Sequence, residues 1–262
     1  MTLHTRRSLL ASSLGLAALA ACRHPPLMQP LHWQREPSGL EYARSEVPLG
    51  ADRASVVIHL LRLDLHRHEL RVVLAADLGK KLATAEEFRV QQKGLAAINA
   101  GYFDPEYRPL GLLVSGGREL AHLRLVDHGV FAIAGGRAQL DHARTFHAPP
   151  DLEFAIECGP RLLVAGERPR FRRADLARRV AIGHDSLGRV VLAVTEGVMG
   201  VEEFARVLAL SEPVGGPGLR DALNLDGGSS AMLAAPLASG SVQVITAVEV
   251  PVGLVVVSRN PL

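Results

Sequence analysis

The chain has few of the residues on which several protein classes depend. Its 262 residues include two cysteines and only 4% aromatic residues. Two cysteines cannot form a disulfide framework, and scarce aromatic rings argue against the stacking platforms of single-strand nucleic-acid binders. The P-loop, the G-x-G-x-x-G fingerprint and the G-x-S-x-G nucleophile elbow are also missing from the sequence. The chain therefore lacks the usual signatures of nucleotide-dependent enzymes and serine esterases.

Charge gives no reason to expect a polyanionic partner. The chain has 29 basic and 27 acidic residues, and residues 1–21 contribute two arginines and no acid, which leaves 27 of each sign beyond them. This balance predicts no binding to nucleic acid. Hydrophobic residues make up 48% of the chain, enough to bury the core of one domain of this size.

The first 22 residues are typical of a bacterial export signal. Arg6 and Arg7 precede an apolar run over residues 9–21, which is too short to span a bilayer. The run ends in the lipobox-like sequence Leu19-Ala20-Ala21-Cys22. We expect residues 1–21 to be a lipoprotein signal peptide and Cys22 to carry lipid, which anchors the exported protein to a bacterial membrane facing the periplasm or the cell exterior. An ordinary secretory signal is the alternative, and the choice between Sec and twin-arginine export stays open.

The rest of the chain predicts a tether followed by a folded domain. Residues 22–50 contain five prolines and little periodicity, which favours a Pro-rich tether between lipid and domain and allows an edge strand near its end. In the domain at residues 51–262, short apolar runs predict strands, among them two over 55–65 and 69–74 joined by a short polar turn. A second hairpin is predicted over 179–195, and helices over 85–93 and 201–210. Strands outnumber helices without alternating with them, so we predict an α+β single domain with a mixed, largely antiparallel sheet and a few helices.

One motif places a carboxylate beside a glycine turn. The sequence Asn224-Leu225-Asp226-Gly227-Gly228-Ser229-Ser230 follows an apolar strand pattern. Successive backbone N–H groups in a Gly-permissive turn form a nest that favours anions such as phosphate, and the two serines add hydroxyl donors. Local capping by Asp226 and an ordinary helix start at the serines are the structural alternatives. The motif predicts a carboxylate that acts next to a phosphate-like group.

Three further blocks, read with this motif, resemble a known family. They are Asn99-Ala100-Gly101-Tyr102-Phe103-Asp104, Cys158-Gly159-Pro160-Arg161 and Arg179-Val180-Ala181-Ile182-Gly183. In this order and at these separations, the four blocks resemble the phosphodiester glycosidase family over roughly residues 55 to 258. The family includes an enzyme that removes N-acetylglucosamine from phosphodiester-capped mannose. The resemblance implies a hydrolase that cleaves the glycosidic bond of a sugar-1-phosphate diester, in an envelope or extracellular polysaccharide.

The resemblance also assigns roles to residues. Asp226 is expected to be the catalytic base or nucleophile, Arg179 to clamp the phosphate through its planar fork, and Asn99 to orient the substrate. One carboxylate suffices because a phosphate leaving group needs little protonation. Further substrate contacts are expected from Gly101, Asp104, Glu196, Gly227, Gly228, Ser229 and Ser230. Tyr102 and the unpaired Cys158 are expected to fill core, and neither a cofactor nor a metal site is expected.

Two other functions stay open from the sequence. The first is a phosphodiesterase that attacks phosphorus, which usually requires a metal cluster that the sequence does not display. The second is a non-catalytic, polysaccharide-binding lipoprotein of the envelope that grips phosphate with the same loop.

Overall fold

The computed structural model describes residues 28–50, 55–171 and 175–259, and the predicted signal peptide and Cys22 lie outside these ranges. The described elements are mostly strands, with two α-helices and four short 3₁₀ turns. The helices are α1 (Ala85–Gln91) and α2 (Val201–Ala209). The strands are β1 (Gln34–Arg35), β2 (Glu41–Val47), β3 (Val56–Leu63), β4 (His68–Leu74), β5 (Ala96–Asn99), β6 (Leu113–Ser115), β7 (Arg118–Ala121), β8 (Gly129–Ala134), β9 (Arg137–His142), β10 (Leu152–Cys158), β11 (Arg161–Leu163), β12 (Leu176–Ala177), β13 (Val180–Asp185), β14 (Val190–Thr195), β15 (Met199–Gly200), β16 (Leu219–Asn224), β17 (Leu233–Leu237), β18 (Gly240–Val244) and β19 (Val252–Ser258).

Three sheets form the body of the described fold. The first has seven strands in the order β1-β2-β3-β14-β13-β16-β11, the second has the order β7-β6-β10-β8-β9, and the third has the order β18-β17-β5-β19-β4. Strands β12 and β15 form a separate two-stranded ribbon. Every pairing between the described strands is antiparallel. The prediction of a strand-rich fold with few helices is confirmed, whereas its mixed sheet is replaced by antiparallel ones.

A central core lies where the three sheets face one another. It combines Leu61 and Ile182 of the first sheet, Phe131 of the second, and Ile98 and Leu254 of the third. Burial of this apolar area is the main favourable term in folding. Because these sheets are also covered on their outer faces, several strands are apolar on both sides, and all eight residues of β3 are buried.

The two helices cover outer faces of the first and third sheets. Helix α2 packs Phe204 and Leu208 in one cluster with Ile58 of the first sheet. Helix α1 packs Phe88 in another cluster with Val255 of the third sheet. Its start is fixed by a capping box, in which the Thr84 hydroxyl accepts from the amide of Glu87 while the Glu87 carboxylate accepts from the amide of Thr84. Both helices match the predicted segments closely.

The sheet assignments correct one expectation from the sequence. The strands predicted on either side of the turn at residues 64–67 do form, but β3 pairs with β2 and β14 while β4 pairs with β19. The turn therefore links two sheets and is not a hairpin tip. A strand near the end of the predicted tether, which the sequence allowed, forms as β2, which pairs along its whole length with β3 and buries Tyr42 and Val47.

The described residues include no helix that is both long enough and apolar enough to cross a membrane.

Candidate active site

The Asp226 loop, which we define as residues 226–230, lies at the junction of the first and third sheets. The amide of Leu225 donates to the carbonyl of Val180 at 2.8 Å, and the amide of Asp226 donates to the carbonyl of Ala100 at 3.1 Å. The loop therefore lies between the end of β5 and the start of β13, and each neighbour belongs to one of the sequence blocks described above.

The Asp226 side chain is partly buried within this loop. Its burial raises the pKa of Asp226, and hydrogen bonds from the Ser230 side chain and the Gly227 amide offset part of that rise. A carboxylate in this setting is weakly solvated and still held in a fixed direction by two donors. These are properties of a catalytic base or nucleophile.

Asn99 fixes the backbone of the loop. Its Nδ2 donates to the carbonyl of Asp226 at 2.6 Å, and its Oδ1 accepts from the amide of Met232 at 3.1 Å. The side chain is 1% exposed, so both ends of the amide bind protein backbone. These contacts indicate that Asn99 positions Asp226, and its predicted role in orienting the substrate stays a prediction.

The two glycines bring the loop close to the chain before β13. A Cβ atom on Gly227 would lie 2.5 Å from the carbonyl oxygen of Arg178, and Gly228 has a φ of +60°. The Gly228 amide donates to that same carbonyl at 2.9 Å, and the Ser230 amide donates to the Gly227 carbonyl at 3.0 Å. The Gly228 amide is thus bonded to the Arg178 carbonyl and the Gly227 amide to the Asp226 carboxyl group, so both glycine amides of the expected phosphate nest already have partners within the protein.

The two serines differ in position. Ser230 is buried, and its side chain hydrogen-bonds the Asp226 carboxyl group. Ser229 is exposed, and its carbonyl accepts a hydrogen bond from the Thr246 hydroxyl. Ser230 therefore acts on Asp226, and Ser229 is the serine whose hydroxyl faces solvent and is open to a ligand.

Arg179 is buried against the loop with its guanidinium partly satisfied by backbone. Its Nε donates to the carbonyl of Met199 at 3.0 Å, and its Nη2 donates to the carbonyl of Asp175 at 2.6 Å. The Asp175 carboxylate is 3.6 Å away and more than half exposed. The two carbonyl partners, with the nearby Asp175 carboxylate, fix the plane of the guanidinium. The amide of Arg179 also donates to the Thr195 hydroxyl at 2.8 Å.

Tyr102 and Asn224 join the Asp226 loop to the Cys158-Gly159-Pro160 block. The Tyr102 hydroxyl donates to the Gly159 carbonyl at 2.5 Å, and Asn224 Nδ2 donates to the same carbonyl at 3.0 Å and to the carbonyl of Leu225 at 2.6 Å. Burial raises the pKa of Tyr102 far above its usual value, with smaller contributions from Cys158 and Asp226. Tyr102 therefore lies within the electrostatic reach of Asp226.

A buried carboxylate beside Tyr102 was missed by the sequence analysis. Glu157 is 1% exposed, and its Oε2 accepts from the amides of Leu112 and Arg124, each at 2.9 Å. Its other oxygen lies 3.7 Å from His128 Nδ1, and the His128 ring lies 5.9 Å from that of Tyr102. Burial opposes ionisation of Glu157, but His128 and the two amides together hold its pKa below the usual value. Its position before Cys158 is the only signal that the sequence offered.

Three further residues that the sequence predicted as substrate contacts, Gly101, Asp104 and Glu196, interact with other parts of the protein in this structure. Asp104 builds a turn, since its carboxylate accepts from the amides of Glu106 and Arg108 and from the Arg108 side chain. Gly101 packs closely on the second sheet, where an added Cβ would lie 3.3 Å from the Glu157 carbonyl. Glu196 is half exposed and binds the buried His59 at 2.8 Å. Glu196 is thus the one of these three that keeps a side chain open to a ligand.

The predicted buried thiol is confirmed, because Cys158 is fully buried and its surroundings raise the pKa of its thiol to about 12. In the part of the chain that the structure describes, no three His, Cys, Asp or Glu side chains are grouped so as to hold a metal ion.

Comparisons with known proteins agree with this assembly. The phosphodiester glycosidase family model matches residues 92–257, more than half of the chain. The chain resembles the uncharacterized protein YigE of Escherichia coli strain K12, with 27% identity over 121 residues that cover 42% of this chain and 48% of YigE. The aligned region thus spans about half the length of that curated relative.

Two solved structures share the fold. One is the catalytic domain of zebrafish N-acetylglucosamine-1-phosphodiester alpha-N-acetylglucosaminidase, auto-inhibited by its pro-peptide, with a TM-score of 0.65, 18% identity and 89% of each chain covered. The other is a hypothetical protein from Synechocystis, with a TM-score of 0.56, 17% identity, and coverage of 88% of this chain and 64% of that one. With its sequence blocks brought together in space and the family matched over most of its folded part, the chain belongs to the phosphodiester glycosidase family.

Proposed function

We propose that the protein is a hydrolase that cleaves the glycosidic bond of a sugar-1-phosphate diester and releases the sugar and a phosphomonoester. The observation that carries the proposal is the convergence of four separate sequence blocks on the Asp226 loop. Asn99 holds the Asp226 carbonyl, the backbone of Arg178 and Val180 pairs with the loop, and Asn224 ties it to Gly159. A purely structural loop needs no such convergence around a partly buried carboxylate with a raised pKa.

The chemistry follows from the charges in the loop. Asp226 attacks the anomeric carbon, or removes a proton from a water that attacks it, and the bond from that carbon to the phosphate oxygen breaks. In the first case a water then attacks the anomeric carbon of the glycosyl–Asp226 ester, which releases the sugar and frees the carboxylate. Arg179 stabilises the anionic leaving group, which departs without the strong general acid that an alcohol would need. Ser230 and Asn99 keep Asp226 in position, and exposed Ser229 is a candidate contact to the phosphate.

The test uses the full chain and a panel of sugar-1-phosphate methyl diesters in water enriched in ¹⁸O. Glycosidic cleavage leaves the released methyl phosphate unlabelled, because the attacking oxygen joins the sugar. Attack at phosphorus places ¹⁸O in the phosphate. An unlabelled phosphate product therefore supports the proposal, and a labelled one replaces it with the phosphodiesterase function.

Two variants complete the test. Asp226→Asn keeps the shape of the side chain and should lose turnover, whereas Asp127→Asn makes the same change at a side chain that is 82% exposed and should not. If the wild-type chain cleaves no diester in the panel but binds envelope polysaccharide, and Asp226→Asn binds it equally well, the protein is a binding lipoprotein instead.

We also propose that the protein is exported and anchored through lipid on Cys22, on the basis of the arginine pair, the apolar run and the lipobox-like sequence before it. Mass spectrometry of the N-terminal peptide tests this proposal. A diacylglyceryl-modified Cys22 as the first residue supports it, and an unmodified Cys22 or cleavage elsewhere refutes it.

A further inference from the structure

Exposed apolar side chains concentrate beside the Asp226 loop. Eight large hydrophobic residues are exposed in the described part of the chain, and three of them, Leu176, Val198 and Ile245, line one cavity of about 420 Å³. Single exposed apolar side chains are ordinary on protein surfaces, but a group of them around one cavity is typical of a binding site. We call this cavity the apolar groove.

The apolar groove shares a wall with the Asp226 loop. Gly228 and Ser229 line it, and the Ser229 carbonyl is bonded to Thr246 of the opposite wall. The groove thus begins two residues from the proposed catalytic carboxylate. A substrate whose phosphate lies at this loop therefore has the groove within reach of the group that follows the phosphate.

The groove also carries one positive charge. Arg178 lines it, and its Nη1 donates to the carbonyl of Ile245 at 3.1 Å. A cation at the inner end of an apolar groove matches a ligand that has an anionic head and a hydrocarbon body. A sugar polymer, which presents hydroxyl groups along its length, would leave Leu176, Val198 and Ile245 against polar groups.

We propose that the apolar groove is the aglycone subsite, and that the alcohol esterified to the sugar phosphate carries a hydrocarbon chain. This inference rests on the proposed function, because it assigns the groove to the part of the diester beyond the phosphate. The hydrocarbon packs against Leu176, Val198 and Ile245, and Arg178 faces the phosphate.

The experiment compares two substrates that differ only beyond the phosphate. A sugar that the full chain cleaves is prepared as its 1-phosphate methyl ester and as its 1-phosphate decyl ester, both used below the micelle concentration. We expect kcat/KM for the decyl ester to be higher by about tenfold or more, which corresponds to burial of roughly two methylene groups.

Leu176→Ser and Ile245→Ser should reduce this preference, measured as the ratio of kcat/KM for the decyl ester to kcat/KM for the methyl ester. Leu187→Ser is the matched control, since Leu187 is 75% exposed in the turn between β13 and β14, away from the groove. It should leave both values unchanged.

The outcomes separate the two proposals. Equal kcat/KM for the two esters in the wild-type chain, or a preference that survives both serine variants, overturns the groove assignment and leaves the proposed function standing. If neither ester of any sugar in the panel is cleaved, the proposed function fails, and titration calorimetry with decyl phosphate then tests the groove alone. Binding that is weakened by Ile245→Ser but not by Leu187→Ser supports an apolar ligand site, and equal binding overturns it.

Discussion

Replacing Asn99 with alanine tests whether this residue positions the Asp226 loop or contacts substrate. The side chain is 1% exposed and joins two backbone groups of the loop, the Asp226 carbonyl at 2.6 Å and the Met232 amide at 3.1 Å. Asn99→Ala removes both bonds and leaves a buried acceptor and a buried donor without partners. The substitution should therefore lower both the free energy of unfolding and the catalytic rate.

The magnitude follows from these two groups. Each buried polar group left unsatisfied costs about 1–3 kcal/mol, and relaxation of the exposed edge of the loop recovers part of that. We expect a loss of roughly 2–4 kcal/mol in the free energy of unfolding. For a folded region of this size, about 2–4 °C is lost for each kcal/mol, so the melting temperature should fall by roughly 5–15 °C.

Thermal and urea unfolding of the full chain measure the loss, and steady-state kinetics on the cleaved diester measure the rate. Gln139→Ala is the control, because Gln139 is an exposed amide bonded to Asp141 on β9 and its loss should change stability by no more than about 0.5 kcal/mol. A positioning role predicts a lower kcat together with the lower melting temperature. An unchanged melting temperature with a raised KM alone would refute the positioning role and restore Asn99 as a substrate contact.

Three further substitutions test the charges of the site. Asp226→Asn should increase the free energy of unfolding more at about pH 7 than at about pH 4. Burial raises the folded pKa of Asp226, so the wild-type chain loses stability as pH rises above the unfolded pKa of this residue, and the variant does not. A pH-independent difference between the urea midpoints of the two proteins would contradict this. Glu157→Gln should lower the free energy of unfolding by about 1–3 kcal/mol near neutral pH. The folded pKa of Glu157 is lowered, so the difference should shrink as pH falls below the unfolded pKa of about 4 and be lost below the folded pKa. Urea midpoints measured across this pH range check it. Arg179→Lys should reduce kcat/KM roughly tenfold or more, since an ammonium cannot hold both carbonyl partners and face the phosphate; unchanged kcat/KM would argue against a phosphate contact.

Much of the fold could be predicted because its elements are encoded locally. The apolar spacing of residues 201–210 and the Thr84 capping box mark the two helices, and the turn at residues 185–188 joins two strands that pair as a hairpin. Sheet membership is different, because it is decided by contacts between distant segments. The strands at 56–63 and 68–74 look like a hairpin, yet β3 pairs with β2 and β14, and β4 pairs with β19.

The candidate site likewise combines features that the local sequence encodes with contacts that depend on distant segments. Asp226 and Arg179 stand out in the sequence because their blocks combine a charge with glycine and apolar strand residues. The partners that define their roles come from far along the chain: Asn99 reaches Asp226 across 127 positions, and Tyr102 lies near Asn224 across 122 positions. Glu157 was missed because an acid inside an apolar strand gives no local sign of the amides of Leu112 and Arg124 that receive it.

The glycine pair shows how a correct motif can be assigned the wrong physical cause. Sequence alone explains two glycines after an acid by an anion nest, since both features use exposed amides. In the structure, Gly227 is required by the close approach of the Arg178 carbonyl, and Gly228 by its positive φ. The Gly228 amide donates its hydrogen bond to that same carbonyl. The pair therefore holds the Asp226 loop against the segment that carries Arg179. The side chains of Arg179 and Ser229 are the phosphate contacts that we propose, and substitutions at these two residues test them.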